Sequence, residues 1–264
     1  MATEVRDPLH GAIRVEPAEL LLIDHPAFQR LRHVRQLGFS EMSFPGATHT
    51  RYLHSLGTME VATRAFDAMF NRWIFATPAN RNRFRQMVRL AALLHDLGHT
   101  PLSHAAEFAM PSVGELGLAP RLPRTGVAAD QQATHEHMTL RFLLDSSFSH
   151  SLEEAFPIPA AAVAGLIDTD LEVEGGTYLD GDQDYRPVLS QLVSSELDAD
   201  RMDYLARDSY FSGVQYGHVD MDWIVRSLRP YAVDGQVHLS LDGRALYTLE
   251  HLLLARYHMF LMVY

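Results

Sequence analysis

The stretch that decides the fold is Ala91-Ala92-Leu93-Leu94-His95-Asp96-Leu97-Gly98-His99-Thr100-Pro101-Leu102-Ser103-His104. Leu90 to Leu94 read as a buried turn of helix, and Gly98 and Pro101 stop that helix. His95 and Asp96 then sit at its inner end. An imidazole and a carboxylate are costly to bury there unless something positive stands between them. A divalent metal is the simplest such partner. Taken alone, the pair also fits two helix-terminal residues facing water, so the rest of the chain has to decide.

Composition narrows the chemistry. The 264 residues are 47% hydrophobic, enough for one large core, and none is cysteine. Disulfides, thiolate metal sites and cysteine nucleophiles are excluded. Any metal must use His, Asp or Glu, which suits one divalent ion of Mn, Fe, Mg, Co, Ni or Zn. The N-terminus has no apolar targeting core, and no apolar run is long enough to span a bilayer, so a cytoplasmic protein without membrane contact is expected. A formal net charge of -11 argues against non-specific nucleic-acid binding. All 22 basic residues are arginine, so every cationic contact to phosphate is a guanidinium able to bind two oxygens.

Outward from the His-Asp pair, helical periodicity dominates. Pro17 to Leu37 is helical with a break at Asp24-His25-Pro26, and a helix opens at Thr50-Arg51 and reaches about Trp73. Asn80 to Arg85 read as an Arg-rich connection, and Phe84 to Leu94 as the helix carrying the pair. A short helix spans Leu102 to Phe108. Pro111 to Asp130 has no period and reads as a mobile surface loop. Thr134 is a plausible N-cap for a helix to about Leu144. Further helices fall at Ala160–Ile167, Val188–Val193, Asp198–Tyr210 and Ala245–Tyr264. Thr169 to Tyr185 is an acidic loop. Ala12 to Val15 suggests a short strand, and Asp234-Gly235 a hairpin turn. The expectation is a mainly α helical bundle with one or two small β-hairpins, as a single domain over 1–264. The last helix ends at Val263-Tyr264 without a stop signal, which reads as a chain whose natural continuation is missing.

Other polar positions also interrupt apolar helices. His54 lies among Tyr52, Leu53 and Leu56. Asp198, Asp200 and Asp203 crowd one turn, where like charges repel unless a cation or an arginine compensates. Periodicity does not choose among these three. His10, His25, His33, His49, His150, His218, His238, His251 and His258 read as structural or surface groups.

The order His54, His95-Asp96, Asp200 resembles the HD-domain metal-dependent phosphohydrolases. Within them it is most similar to the dNTP triphosphohydrolases, the SAM-and-HD-domain and dGTPase-like subgroup. The resemblance is carried by Asp7-Pro-Leu-His-Gly11, Phe28-Gln-Arg-Leu-Arg32, Gln36-Leu-Gly38, Phe44-Pro-Gly-Ala47, Arg51-Tyr-Leu-His-Ser-Leu-Gly57, His95-Asp-Leu-Gly-His99, Pro101-Leu-Ser-His104, His135-Glu136 and Asp198-Ala-Asp-Arg-Met-Asp-Tyr-Leu-Ala-Arg-Asp208. It spans essentially the whole chain. It implies an HD-domain bundle in which His54, His95, Asp96 and Asp200 are the metal ligands. It places His99, His104, His135 and Glu136 around the reacting phosphate, with His104 or His135 as general acid and Glu136 orienting a histidine. Gln36, Leu37 and Arg51 would lie beside nucleoside and phosphates. Arg201, Tyr204 and Asp208 would contact phosphate and sugar, and Arg256 and Tyr264 match family residues near the substrate.

The implied reaction is hydrolysis of a dNTP to deoxynucleoside and inorganic triphosphate, in a homo-oligomer. Two alternatives stay open. One is another HD phosphohydrolase acting on nucleoside monophosphates, cyclic nucleotides or alarmones; the other is a non-catalytic nucleotide-binding sensor or assembly module. There are departures from the pattern. Arg201 replaces the family's lysine beside the metal aspartate, and the loop between His104 and His135 is longer. No SAM domain precedes the core, and the family's C-terminal lobe is missing, which puts nucleotide-activated assembly in doubt.

Overall fold

The computed structural model describes residues 2–118 and 128–264. Two antiparallel strands, β1 (Thr3–Asp7) and β2 (Gly11–Val15), form an N-terminal hairpin. Short helices α1 (Pro17–Ile23) and α2 (Pro26–Gln29) follow, then 3-10 turns at Arg30–His33 and Gly38–Met42. The long helices are α3 (Arg51–Met69) and α4 (Pro78–Leu94). A 3-10 segment at Ser103–Ala109 leads towards α5 (His135–Leu144), α6 (Ser147–Ala155) and α7 (Ala160–Ile167). The remaining elements are β3 (Leu179–Asp180), β4 (Gln183–Asp184), α8 (Arg186–Val193), α9 (Ala199–Ser212), α10 (Met221–Ser227), β5 (Leu228–Val233), β6 (Gln236–Leu241) and α11 (Leu246–Met262).

The architecture is the mainly α bundle expected, with small β elements at its margin. α3 is its axis and packs against α4, α9 and α10. A helix enclosed on most sides has no polar stripe to spare. Buried positions on α3 accordingly run round its circumference, and they include Arg51, His54, Ser55 and Thr58. The Asp234-Gly235 turn joins β5 to β6 with both residues at positive φ, as a two-residue hairpin of right-handed strands requires. These strands extend a small sheet of order β3-β4-β6-β5. No helix among the described residues is long and apolar enough to cross a membrane.

Four local expectations change. The Arg-rich connection at Asn80–Arg85 is helix, because Thr77 caps the amide of Asn80 and Pro78 opens α4 two turns earlier. Arg81 and Arg85 extend from it to Asp67 on α3. β1 pairs with the expected strand, and the acidic loop contains the β3–β4 hairpin. Of the loop expected over Pro111–Asp130, residues 119–127 lie outside the described residues. Its leading flank is not a surface segment: Val113, Leu116 and Leu118 are buried. In α11, Leu252 packs inward whereas Leu253 and Leu254 face outward.

Candidate metal centre

Three helices deliver four side chains to one point. His54 comes from the second turn of α3, His95 and Asp96 from the end of α4, and Asp200 from the first turn of α9. One ligand atom each from His54, His95 and Asp96 lies within 4.8 Å of the others. Asp200 Oδ1 is 2.9 Å from His54 Nε2 and 3.6 Å from His95 Nε2. Asp96 Oδ2 is 3.6 Å from His54 Nε2, and its Oδ1 is 3.5 Å from His95 Nε2. Both Nε2 atoms are buried and lack a hydrogen-bond partner. Two buried imidazole nitrogens without hydrogen-bond partners, beside two carboxylates, are a donor set that fits a divalent cation. With neutral imidazoles the set carries two negative charges, which one divalent ion balances. Nitrogen and oxygen donors in this mixture suit the first-row divalent ions. The cluster of His54, His95 and Asp96 is suited to a single divalent metal ion, and Asp200 Oδ1 lies beside it.

The electrostatics agree. Burial opposes a charged imidazole at His54, but Asp200 and Asp203 outweigh it and hold the group up at about 10. His95 is raised against the same opposition of burial, by Asp96 and Asp200. Burial pushes the Asp96 carboxyl up, yet Arg51 and the neighbouring histidines hold it well below the usual range. Both imidazoles thus sit where neighbouring carboxylates favour positive charge.

The three competing aspartates separate by role. Asp198 is the N-cap of α9 and accepts from the amides of Arg201 at 2.7 Å and Ser195 at 2.7 Å. Burial first, then Asp200, pushes its carboxyl up to about 7. Asp200 faces the two unpartnered nitrogens. Asp203, nearly one turn on, points at the opposite side of the His54 ring and accepts from Nδ1 at 2.8 Å.

A second cluster adjoins the first. His99, His104, Glu107 and His135 bring one polar atom each within 4.8 Å of one another. The rings of His99 and His135 stack at 3.9 Å. Gly98 makes this possible. A Cβ there would meet Met138 C at 2.8 Å and come nearer still to His135 O and Thr139 N. Its amide donates to Thr139 Oγ1 at 2.9 Å, and that hydroxyl donates to His95 O at 3.0 Å. The His-Asp turn is thereby clamped to the start of α5.

The carboxylate among these histidines is Glu107, 2.5 Å from His135 Nδ1 and 3.3 Å from His104 Nδ1. Glu136, expected to orient a histidine, is exposed on the outer side of α5. The signal for Glu107 was its place three residues after His104, within reach across one helical turn. Arg51 closes the cluster, donating to Asp96 Oδ2 at 2.6 Å and to Ser103 Oγ at 2.6 Å. Ser103 adopts φ 55°, a left-handed conformation rare for serine, and its hydroxyl meets the guanidinium there. Arg51 Nε is buried without a partner, as is His99 Nε2. Burial first, and Arg51 next after the opposing pull of Asp96, keep His99 well below the ordinary imidazole range. His104 is lowered for the same two reasons.

The remaining predicted residues fall into two groups. Tyr264 Oη donates to Asp208 Oδ2 at 2.7 Å, and its ring meets Tyr204 edge-on at 6.1 Å. Burial first, then Asp200, pushes the Tyr204 hydroxyl up to about 12. The second oxygen of Asp208 lies 2.7 Å from His49 Nε2. His49, read as structural or surface, is thus buried against a predicted sugar contact. Arg201 and Arg256 share Glu196, at 2.6 and 3.0 Å. Gln36 is buried with Oε1 unpartnered, and its backbone N–H donates to His49 O at 3.1 Å. Leu37 packs at the edge of the core.

A family model described as HD domain matches residues 51–208, more than half of the chain. The chain belongs to the HD-domain family. The uncharacterized protein MG461 homolog of Mycoplasma pneumoniae is 36% identical over 98% of this chain and 55% of its own length. The deoxynucleoside triphosphate triphosphohydrolase SAMHD1 of Gallus gallus is 30% identical over 88% of this chain and 38% of its own. A crystal structure of a hypothetical protein from Aquifex aeolicus superposes with TM-score 0.72 and 34% identity, over 100% of this chain and 60% of that one. The chain therefore spans between about two-fifths and three-fifths of the length of these relatives.

Proposed function

We propose that this HD domain hydrolyses deoxynucleoside triphosphates to the deoxynucleoside and inorganic triphosphate. The observation that carries the reading is the double use of Asp96. The four-residue set around it calls for a cation, the neighbouring histidines and Arg51 offer donors to an anion, and this carboxylate contacts both. A cation and a phosphate held side by side are the requirements of phosphoryl hydrolysis. The choice of deoxynucleoside triphosphates is supported by the likeness to the Gallus gallus protein, which bears that activity in its name.

His54, His95, Asp96 and Asp200 would hold the ion, which when bound supplies positive charge at a phosphoryl oxygen and makes water more acidic. Arg51 is fixed by Asp96 and Ser103, and its free Nε donor suits a phosphate oxygen. His99, held neutral at working pH by burial, suits a second. Water attacks the α-phosphorus, the bond from phosphorus to the 5′-oxygen breaks, and that oxygen needs a proton. We assign the proton to His135, whose Nδ1 is fixed by Glu107 and whose other nitrogen is the donor. Tyr204, Tyr264 and Asp208 would line the sugar.

A panel of four dNTPs and four NTPs, each with Mn, Mg, Fe or Co, tests this by ion-exchange separation of products. Triphosphate and deoxynucleoside are expected in equal amounts. Orthophosphate or pyrophosphate as the inorganic product replaces the reading with another HD phosphohydrolase. Binding without turnover replaces it with a sensor.

A further inference from the structure

We infer that Asp203 is a positioning residue that fixes the ring nitrogen His54 offers to the metal, and that the N-terminal hairpin holds Asp203 in place. The inference rests on His54 being a ligand. It does not depend on the substrate proposed above.

A histidine ligand gives one nitrogen to the ion, and the hydrogen bond on the other nitrogen decides which one. His54 Nδ1 lies 2.8 Å from Asp203 Oδ2. That oxygen also accepts from Arg207 Nε at 2.8 Å, and Oδ1 accepts from Arg207 Nη2 at 2.9 Å. A carboxylate gripped through both oxygens by a guanidinium can only accept. Nδ1 therefore carries the proton and donates it to Asp203. When a metal takes the place of the proton on the other nitrogen, the lone pair it meets is that of Nε2, the buried atom that faces Asp200 and Asp96 without a hydrogen bond. Thr58 Oγ1 is the other neighbour of Nδ1, at a longer 3.4 Å.

The holder is itself held. His10 Nε2 lies 2.6 Å from Asp203 Oδ1. Arg207 Nη1 donates to Asp7 Oδ2 at 2.8 Å, while Asp7 Oδ1 accepts from the amides of Leu9 and His10 at 2.9 Å each. The turn between β1 and β2 is thus wired through two charged residues to a metal ligand. His54, Asp203 and Arg207 are all fully buried, so water replaces none of these bonds. Gly57 on α3 gives the room. A Cβ there would meet Asp203 Cγ at 2.8 Å and come nearer still to Asp203 Oδ1 and Arg207 Nη2. Neither Asp203 nor Asp7 belongs to the cluster of ligand atoms, and the hydrogen bond that links them to it is the one to His54.

Two measurements test this. The first is Mn(II) affinity by titration calorimetry for the wild type and Asp203→Asn, with near-UV circular dichroism to establish the fold. An amide cannot accept from His54 and from both Arg207 donors at once, so a roughly 10- to 100-fold weaker Kd is expected. A folded Asp203→Asn protein with wild-type affinity overturns the inference. A wild type that binds no Mn(II) overturns the metal site itself, which separates the two failures. The second measurement needs no variant. In the Zn(II)-loaded wild type, long-range proton–nitrogen correlation spectra, with His54 assigned by His54→Gln, should show a protonated Nδ1 in slow exchange and a metal-shifted Nε2. Metal on Nδ1, or a proton on Nε2, overturns the inference whatever Asp203→Asn does.

Discussion

Replacing Gly98 with alanine adds one methyl group where the helix end presses directly on the backbone of α5. The Cβ would stand 2.8 Å from Met138 C and closer to His135 O and Thr139 N, where ordinary contact begins near 3.4 Å. All three atoms are backbone at the start of α5, so no side chain can rotate away. The first turn of α5 must retreat by about 1 Å to restore contact distances. Overpacking of this kind costs about 1–3 kcal/mol, or a Tm lower by roughly 2–12 °C in a domain of this size. The functional effect is larger. His135 begins α5 and stacks on His99 at 3.9 Å, whereas His54, His95, Asp96 and Asp200 belong to α3, α4 and α9. Displacing a proton donor by about 1 Å lowers turnover by about 100-fold. Metal affinity should move far less than turnover. The assays are thermal unfolding, Mn(II) titration and initial rates on the best dNTP of the panel. A folded Gly98→Ala protein with wild-type turnover refutes the placement of His135 by this contact. A 100-fold loss of metal affinity would show that the strain is taken up by the His95–Asp96 turn rather than by α5, and overturns the prediction.

Glu107→Gln removes the charge that fixes His135 and leaves its shape, so kcat should fall by roughly 10- to 100-fold with Mn(II) affinity retained, measured by steady-state kinetics and titration. Equal kcat would show that another group orients the proton donor. Glu19 and Arg89 form a buried ion pair at 2.6 Å remote from the metal, so Glu19→Gln should cost about 3 kcal/mol at pH 7 by urea unfolding. Burial pulls the Glu19 carboxyl up, but Arg89 outweighs it and leaves the group below its ordinary value of 4.5. A depressed carboxyl stabilises the fold above its unfolded pKa and loses that contribution as pH falls through the folded one. The gap between wild type and Glu19→Gln should therefore narrow as pH falls below about 4.5; a gap that widens contradicts the pairing.

The sequence was readable where a local signal sufficed. The apolar run before His95 specified a core helix, and Asp234-Gly235 specified a hairpin, because both depend only on near neighbours. β1 was not readable, since residues 2–4 are exposed and only Asp7 is buried, leaving no alternation to find. The start of α4 was obscured by arginines whose partner, Asp67, sits on another helix. The site divides the same way. Residue types and order indicated four ligands through a family resemblance, but spacing alone left Asp198, Asp200 and Asp203 equivalent. They are distinguished by what each faces: the amides of its own helix, two imidazole nitrogens from α3 and α4, or the far side of the His54 ring. Glu107 escaped notice because its partner His135 is 28 residues away in sequence.

Asp96 explains why the two clusters cannot be designed apart. Its Oδ2 accepts from Arg51 at 2.6 Å and its Oδ1 lies 3.2 Å from His99 Nε2, while both oxygens border the metal nitrogens. A carboxylate shared this way is already oriented before any ion arrives, because the guanidinium has fixed its plane. The same guanidinium is anchored at its other end by a strained serine. Rotating Asp96 to suit an ion would break that anchor, and moving Arg51 to suit a phosphate would release Asp96. Under the proposed function, cation and anion would thus be recognised by one rigid unit. A substitution at Arg51 should weaken the metal site as well as the phosphate site, although Arg51 touches no metal.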